Sequence, residues 1–318
     1  MTRTHGIRHS RLSLFVVTMF VSSGCVASRH ATQRATIGVA RSTADLVAVL
    51  DQPGSVEVET VTSSLWAVPR ENLINLKSPI AKQAGLKKGL EPIEVDFHVI
   101  RHPTRGRYLV DTGAERALRD DPKRAAVRGF VAAYLHFGTM NVVAPLGDWL
   151  AAHAQEGPIR GVFLTHLHPD HISGMADLPR DTVVYTAPGE VQSRMAHNLF
   201  LQSVNDHALA GKPPVQEWPF APDASGRFEG VVDVFGDGQV WALWVPGHTH
   251  GSTAFIVRTP RGPVLLTGDA CHTRWGWEHG VEPGPLSDDI PASLVSLERL
   301  RTLAAEHPNM EVRPGHQR

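Results

Sequence analysis

A chain of 318 residues with 42% hydrophobic residues and 28 glycines has ample material for a folded core, which excludes wholesale disorder. Lys plus Arg number 31 and Asp plus Glu 32, a net charge of −1 that offers no basic field for nucleic acid. Two cysteines exclude a disulfide framework and a cysteine-rich zinc module, whereas 18 histidines against three tyrosines is the anomaly that carries the functional reading.

Arg3, Arg8 and Arg11 precede an apolar stretch from Leu12 to Val21, then Ser22-Ser23-Gly24-Cys25. A basic head, a short apolar run and small residues describe an export signal, too short to span a bilayer comfortably. The small residues before Cys25 resemble the bacterial lipobox, whose cysteine takes lipid and becomes the mature N-terminus. Ser22 stands where such motifs usually carry Leu, and an ordinary signal peptide is the alternative. The expectation is an exported protein, periplasmic or held at the membrane by lipid on Cys25, with Cys271 left alone. Residues 26–45 are polar and poor in aromatics, so they read as a tether, with the folded domain over 46–318.

Residues 56–61, 93–100 and 107–110 have strand character, the last running into Asp111-Thr112-Gly113. Residues 73–89, rich in Lys and Gly, read as surface loop and helix. A helix over 148–155 leads to a buried strand over 159–165; a strand over 183–186 precedes a helix over 188–200. The proline-rich segment 211–227 reads as loop. Strands follow over 231–235, 239–245, 253–259 and 264–267, with Asp237-Gly238 as a hairpin turn between the first two. A helix over 291–307 opens on Pro291, and a strand over 311–313 precedes Pro314-Gly315-His316. Strands in two blocks, each followed by helices, predict two sheets covered by helices on their outer faces. Trp66, Trp241 and Trp244 fall in strands and read as core. Residues 130–137 and Trp275-Gly276-Trp277 are aromatic enough to wall an apolar pocket, or simply to pack.

Thr165-His166-Leu167-His168-Pro169-Asp170-His171 follows a buried strand and precedes a helix, so its side chains project at a strand's C-terminal edge. His166 and His168 are two apart and point the same way from extended backbone, while Asp170 and His171 lie across the turn and can be aimed at a second point. Three imidazoles and a carboxylate suit zinc, which takes N and O ligands. Without metal, such a loop would accumulate desolvation cost and mutual repulsion on protonation. Three other strand ends also supply His or Asp: Pro246-Gly247-His248, Thr267-Gly268-Asp269 and Pro314-Gly315-His316.

With these residues the chain resembles the metallo-beta-lactamase fold hydrolases over roughly residues 56–316. The resemblance implies an α/β (α+β) fold, a four-layer αββα sandwich with its site at the edge between the sheets. It also implies that His166, His168 and His248 hold one zinc ion and that Asp170, His171 and His316 hold a second, with Asp269 bridging. Asp111 corresponds to the family's early Asp; it either accepts the free N–H of a ligand imidazole or is a strand-terminal turn residue. Iron, manganese or cobalt can occupy similar ligands.

Two zinc ions sharing a carboxylate can also share a hydroxide, and metal coordination brings the pKa of water near 7, so hydrolysis of a small molecule is the expected reaction. Asp170 is expected to orient the hydroxide or move a proton to the leaving group. Beta-lactamases of this fold generally lack the bridging Asp. Glyoxalase II enzymes carry a helical domain after the last ligand, and only two residues follow His316 here. The Pro-Gly-His-Thr and Gly-Asp-Ala patterns look most like the N-acyl homoserine lactonase branch, so a lactone or related ester is the expected substrate. Two departures stand out: His272 takes the place of a Tyr that holds the substrate carbonyl, and Gln317 that of an acid. His272 is accordingly expected either to donate a hydrogen bond to that carbonyl or to pack beside the site and bond to a loop carbonyl. A beta-lactamase and a non-catalytic metal-binding lipoprotein are the alternatives, and the oligomeric state is open.

Overall fold

A computed structural model describes residues 26–195 and 198–318. The apolar N-terminal run and Cys25 lie outside the described residues. The chain opens with β1 (Thr32–Arg34), β2 (Val39–Arg41), α1 (Thr43–Leu50) and β3 (Glu57–Pro69), then α2 (Arg70–Leu73) and α3 (Pro79–Gln83). Next come β4 (Leu90–His102), β5 (Gly106–Val110), α4 (Arg116–Asp120), α5 (Gly129–Tyr134), β6 (Asn141–Val142) and α6 (Leu146–Ala152). The middle of the chain holds β7 (Ile159–Phe163), α7 (Pro169–Ile172), β8 (Val184–Thr186), α8 (Asn198–Ala208) and β9 (Val215–Glu217). It finishes with β10 (Gly230–Asp233), β11 (Val240–Trp244), β12 (Thr253–Thr259), β13 (Gly262–Leu266), α9 (Arg274–His279), α10 (Ile290–Glu306) and β14 (Glu311–Arg313).

The strands form an eight-stranded sheet, ordered β1-β9-β8-β7-β5-β4-β3-β6, and a six-stranded sheet, ordered β14-β13-β12-β11-β10-β2. Side chains alternate across a strand, and here the alternation assigns each residue to a layer. In β11, Val240 and Ala242 pack between the sheets while Trp241 and Leu243 pack outward with Leu46 and Leu50 of α1 and Leu300 and Leu303 of α10. In β12, Phe255 and Val257 face inward and Ala254 and Ile256 outward. On the other sheet Phe163 faces inward, whereas Val162 and Leu164 pack outward against Leu146, Trp149 and Ile172. Helix, sheet, sheet, helix is therefore the order of layers, the αββα sandwich. Strands buried on both faces are why these segments read as unbroken apolar runs. Among the described residues no helix is long and apolar enough to cross a membrane.

Several local expectations change. Residues 26–45 are not a tether: β1 pairs parallel with β9 at one sheet edge, and β2 pairs antiparallel with β10 at the other. An edge strand pairs on one side only and stays solvated, so its composition is polar, and β2 is exposed throughout. Ser42 then starts α1 through a reciprocal capping box with Asp45. The helix expected over 188–200 begins at Asn198, because Pro188 and Gly189 (φ +78°) make a turn instead. The proline-rich segment contains β9, a short strand on the sheet's side. Of the three tryptophans, Trp241 is core, whereas Trp66 and Trp244 are half-buried.

Candidate metal centre

The C-terminal ends of parallel β5 and β7 meet those of β11, β13 and β14 at one edge between the sheets. Two backbone bonds stitch that edge: Thr253 N–H donates to the Thr165 carbonyl at 2.9 Å, and Glu94 N–H to the His316 carbonyl at 2.9 Å. Both Pro-Gly-His tripeptides use their glycine for close approach. Gly247 has φ +139°, and a Cβ there would collide with the Ser293 backbone; a Cβ on Gly315 would collide with Asp269 Oδ1.

Asp269 is the hub. The Nε2 atoms of His166, His171, His248, His272 and His316 stand 3.6, 3.4, 3.4, 2.9 and 3.4 Å from its Oδ2. Asp170 Oδ2 adds a second carboxylate, 3.4 Å from His316 Nε2 and 3.9 Å from His171 Nε2. His168 Nδ1 faces His248 Nε2 at 2.9 Å. Ligand-type atoms of His166, His168, His248 and Asp269 lie within 4.8 Å of one another, as do those of Asp170, His171 and His316, and those of Asp269, His272 and His316. All seven ligands expected from the sequence are thus brought together, with His272 as an eighth member.

The oxygen partners on the far side of each ring aim these nitrogens. Asp111, at a left-handed φ of 57°, accepts from Thr165 N–H and Oγ1–H and from His171 Nδ1–H, each at 2.8 Å. A non-glycine residue in that conformation is strained and persists where its surroundings fix it. His248 Nδ1 lies 3.1 Å from Ser287 Oγ, and His316 Nδ1 donates to the Glu94 carbonyl at 2.9 Å. His272 Nδ1 donates to the Leu73 carbonyl at 2.9 Å. Of the two readings of His272, the bond to a loop carbonyl is the one present here, and its other nitrogen, Nε2, faces Asp269 Oδ2 at 2.9 Å.

Sequence reasoning missed Glu190, which is fully buried in the loop after β8. One oxygen accepts from Leu167 N–H at 2.9 Å and the other from Gly251 N–H at 2.8 Å, tying the His166-Leu167-His168 loop to the loop of His248. No spacing rule marks it, since its partners, two main-chain N–H groups and the Thr249 side chain, lie far from it in sequence. Gln317 turns instead to Glu91 and the Pro92 carbonyl. Trp275 and Trp277 are partly buried in two separate apolar clusters, whereas Phe130 and Tyr134 stack at the surface with Phe200.

The residues fit a cation. His166 Nε2, His171 Nε2 and Asp269 Oδ1 are buried without a hydrogen-bond partner, a costly arrangement for polar atoms unless something else satisfies them. Electrostatics agree. Burial, assisted by neighbouring histidines, holds His166 far below the ordinary imidazole range, and burial also dominates at His248. Burial opposes charge on His171 and His316, but Asp269 and the other facing carboxylates outweigh it: His171 rises well above its usual value and His316 to about 9. Asp269 is in turn held well below the carboxylate range, because His272, His171 and His316 overcome its burial. The pocket gathers positive charge around one carboxylate. Imidazole and carboxylate donors suit zinc, and the Cys271 thiol is turned away to the Thr273 carbonyl.

Comparison with known proteins agrees with this geometry. The family model described as the metallo-beta-lactamase superfamily matches residues 91–316. The chain is 30% identical over 230 residues to the N-acyl homoserine lactonase AttM of Rhizobium johnstonii, a match covering 70% of this chain and 82% of that one. It is 29% identical over 153 residues to the gamma-lactamase FDB1 of Fusarium pseudograminearum, covering 45% and 37%. Its fold is similar to that of a quorum-quenching N-acyl homoserine lactone lactonase, with a TM-score of 0.56 at 18% identity over 84% of this chain and 94% of that one. It is also similar to AidC, a dizinc quorum-quenching lactonase, with a TM-score of 0.52 at 15% identity over 89% and 92%. With two helix-covered sheets, a His and Asp cluster at their shared edge and a family match across most of its length, the chain belongs to the metallo-beta-lactamase superfamily, in its lactonase-like branch.

Proposed function

We propose that this superfamily hydrolase is an exported dizinc enzyme that opens a lactone or a related ester. The observation that carries the reading is the convergence of imidazole nitrogens from four strand ends on Asp269 Oδ2, with Asp170 alongside. His166, His168 and His248 would hold one ion, Asp170, His171 and His316 the other, and Asp269 would face both. When bound, such ions supply Lewis acidity and an activated water at neutral pH. The chain's own groups do the rest. Asp111 fixes His171 in the tautomer whose Nε2 faces inward. Asp170, with 18% of its side chain exposed, is the carboxylate best placed to meet substrate, where it orients the attacking water and carries a proton to the leaving oxygen. The curated lactonase relatives support the choice of a cyclic ester.

The test is to purify the mature chain, count metal by mass spectrometry, and compare turnover of N-acyl homoserine lactones, linear esters, gamma-lactams and beta-lactams. About two ions per chain with lactones preferred is the expected result. Preference for either lactam would replace the substrate reading, and one inert ion with no turnover would overturn the enzyme reading.

The export reading rests on Arg3, Arg8 and Arg11, the apolar run and Cys25. Cys25→Ser should move the protein from the membrane fraction to the soluble exported fraction. Identical partition of both forms would rule out the lipid anchor.

A further inference from the structure

We infer that His272 is itself a metal ligand, sharing one ion with Asp269 and His316. The inference rests on the metal-centre reading above but not on the identity of the substrate. Three observations carry it.

The first is orientation. His171, His248 and His316 each turn Nε2 inward and place Nδ1 against an oxygen: of Asp111 at 2.8 Å, Ser287 at 3.1 Å and the Glu94 carbonyl at 2.9 Å. His272 does the same with the Leu73 carbonyl at 2.9 Å. A carbonyl only accepts, so Nδ1 carries an N–H and Nε2 is the atom turned to the centre, the orientation that ligating imidazoles adopt.

The second is what that nitrogen faces. Asp269 Oδ2 lies 2.9 Å away, nearest of all the ring nitrogens around it. With Nδ1 already donating to Leu73, so short a contact needs a cation between the two atoms, either a proton on Nε2 or a metal ion against both. Donor atoms each about 2.0–2.1 Å from one ion stand roughly 2.9–3.4 Å apart for bond angles between a right angle and the tetrahedral one, so the separation accommodates a shared ion.

The third is rigidity. His316 N–H donates to the His272 carbonyl at 2.9 Å and Gly315 N–H to the Cys271 carbonyl at 2.8 Å, which locks the two histidines side by side. The short helical turn Gly268–Ala270 returns His272 to Asp269 three residues on, and all three donor groups lie within 4.8 Å of one another.

The experiment reads ligation directly. The chain is loaded with cobalt, and hyperfine-shifted exchangeable imidazole protons are counted by NMR; each ligating ring keeps one N–H. Six are expected, from His166, His168, His171, His248, His272 and His316. His272→Gln should lose one of them and hold one cobalt about 10-fold or more weakly against a chelator, since even an outer partner of a ligand is worth 10–100-fold. Five resonances in the wild-type chain would overturn the assignment even if the variant did not fold. So would an unchanged count and unchanged affinity in the variant. Lactone turnover with five resonances leaves the proposed function standing without this ligand, whereas six resonances without lactone turnover do the reverse.

Discussion

Replacing Asp269 with serine is expected to empty the metal centre. Five ring nitrogens stand within 3.6 Å of its Oδ2, and among the described residues the carboxylate is the only anion they share at that distance. One bridging carboxylate offsets charge on two cations at once, so its loss weakens both positions together. Metal content should fall from about two ions per chain to less than one, and turnover should fall at least about a thousandfold, equivalent to roughly 4 kcal/mol of barrier. Mass spectrometry of the purified variant and a rate assay with added zinc check this. Two retained ions with unchanged turnover would remove Asp269 from the bridge.

The same electrostatics set a pH dependence. In the metal-free chain His316 titrates at about 9 and His171 lies well above its usual value, because the facing carboxylates favour their protonated forms over the opposing effect of burial. Metal must displace those protons, so uptake at neutral pH releases protons and affinity rises as pH climbs toward about 9.

The parts of this centre that were legible in the sequence are those whose chemistry is compressed into a few residues. His166, His168, Asp170 and His171 fall within a span of six residues, and the strand before them is apolar enough to place them at a sheet edge. His248, Asp269 and His316 were found because each follows a strand and sits beside a glycine. The rest depends on contacts between distant segments. His272 faces the Leu73 carbonyl 199 residues away, and that bond, absent from any local pattern, commits Nδ1 and turns Nε2 to Asp269. Residues 26–45 look like a tether for a similar reason: β1 and β2 gain their stability from β9 and β10, not from their own side chains.

Glu190 is the extreme of this class, and its removal is the second large effect expected. Its carboxylate satisfies two buried main-chain donors, Leu167 N–H and Gly251 N–H, that lie 23 and 61 residues from it. Burial pushes the carboxyl up, and the bonds from Leu167, Thr249 and Gly251 pull it down, so the group is costly to bury and kept for those bonds. The backbone has closed around it: a Cβ on Gly251 would collide with the Glu190 side chain. Glu190→Ala leaves both donors unsatisfied, at about 1–3 kcal/mol each, and opens a cavity besides. A loss of roughly 2–6 kcal/mol in chemical denaturation is expected. Because the two donors belong to the loops of His166-Leu167-His168 and of His248, affinity for the ion those histidines hold should fall as well. Glu190→Gln retains one accepting oxygen but turns its amide toward the second N–H, so it should lose about half as much. If the alanine variant is as stable as the wild type and binds metal equally well, the two loops are held in register by something other than Glu190.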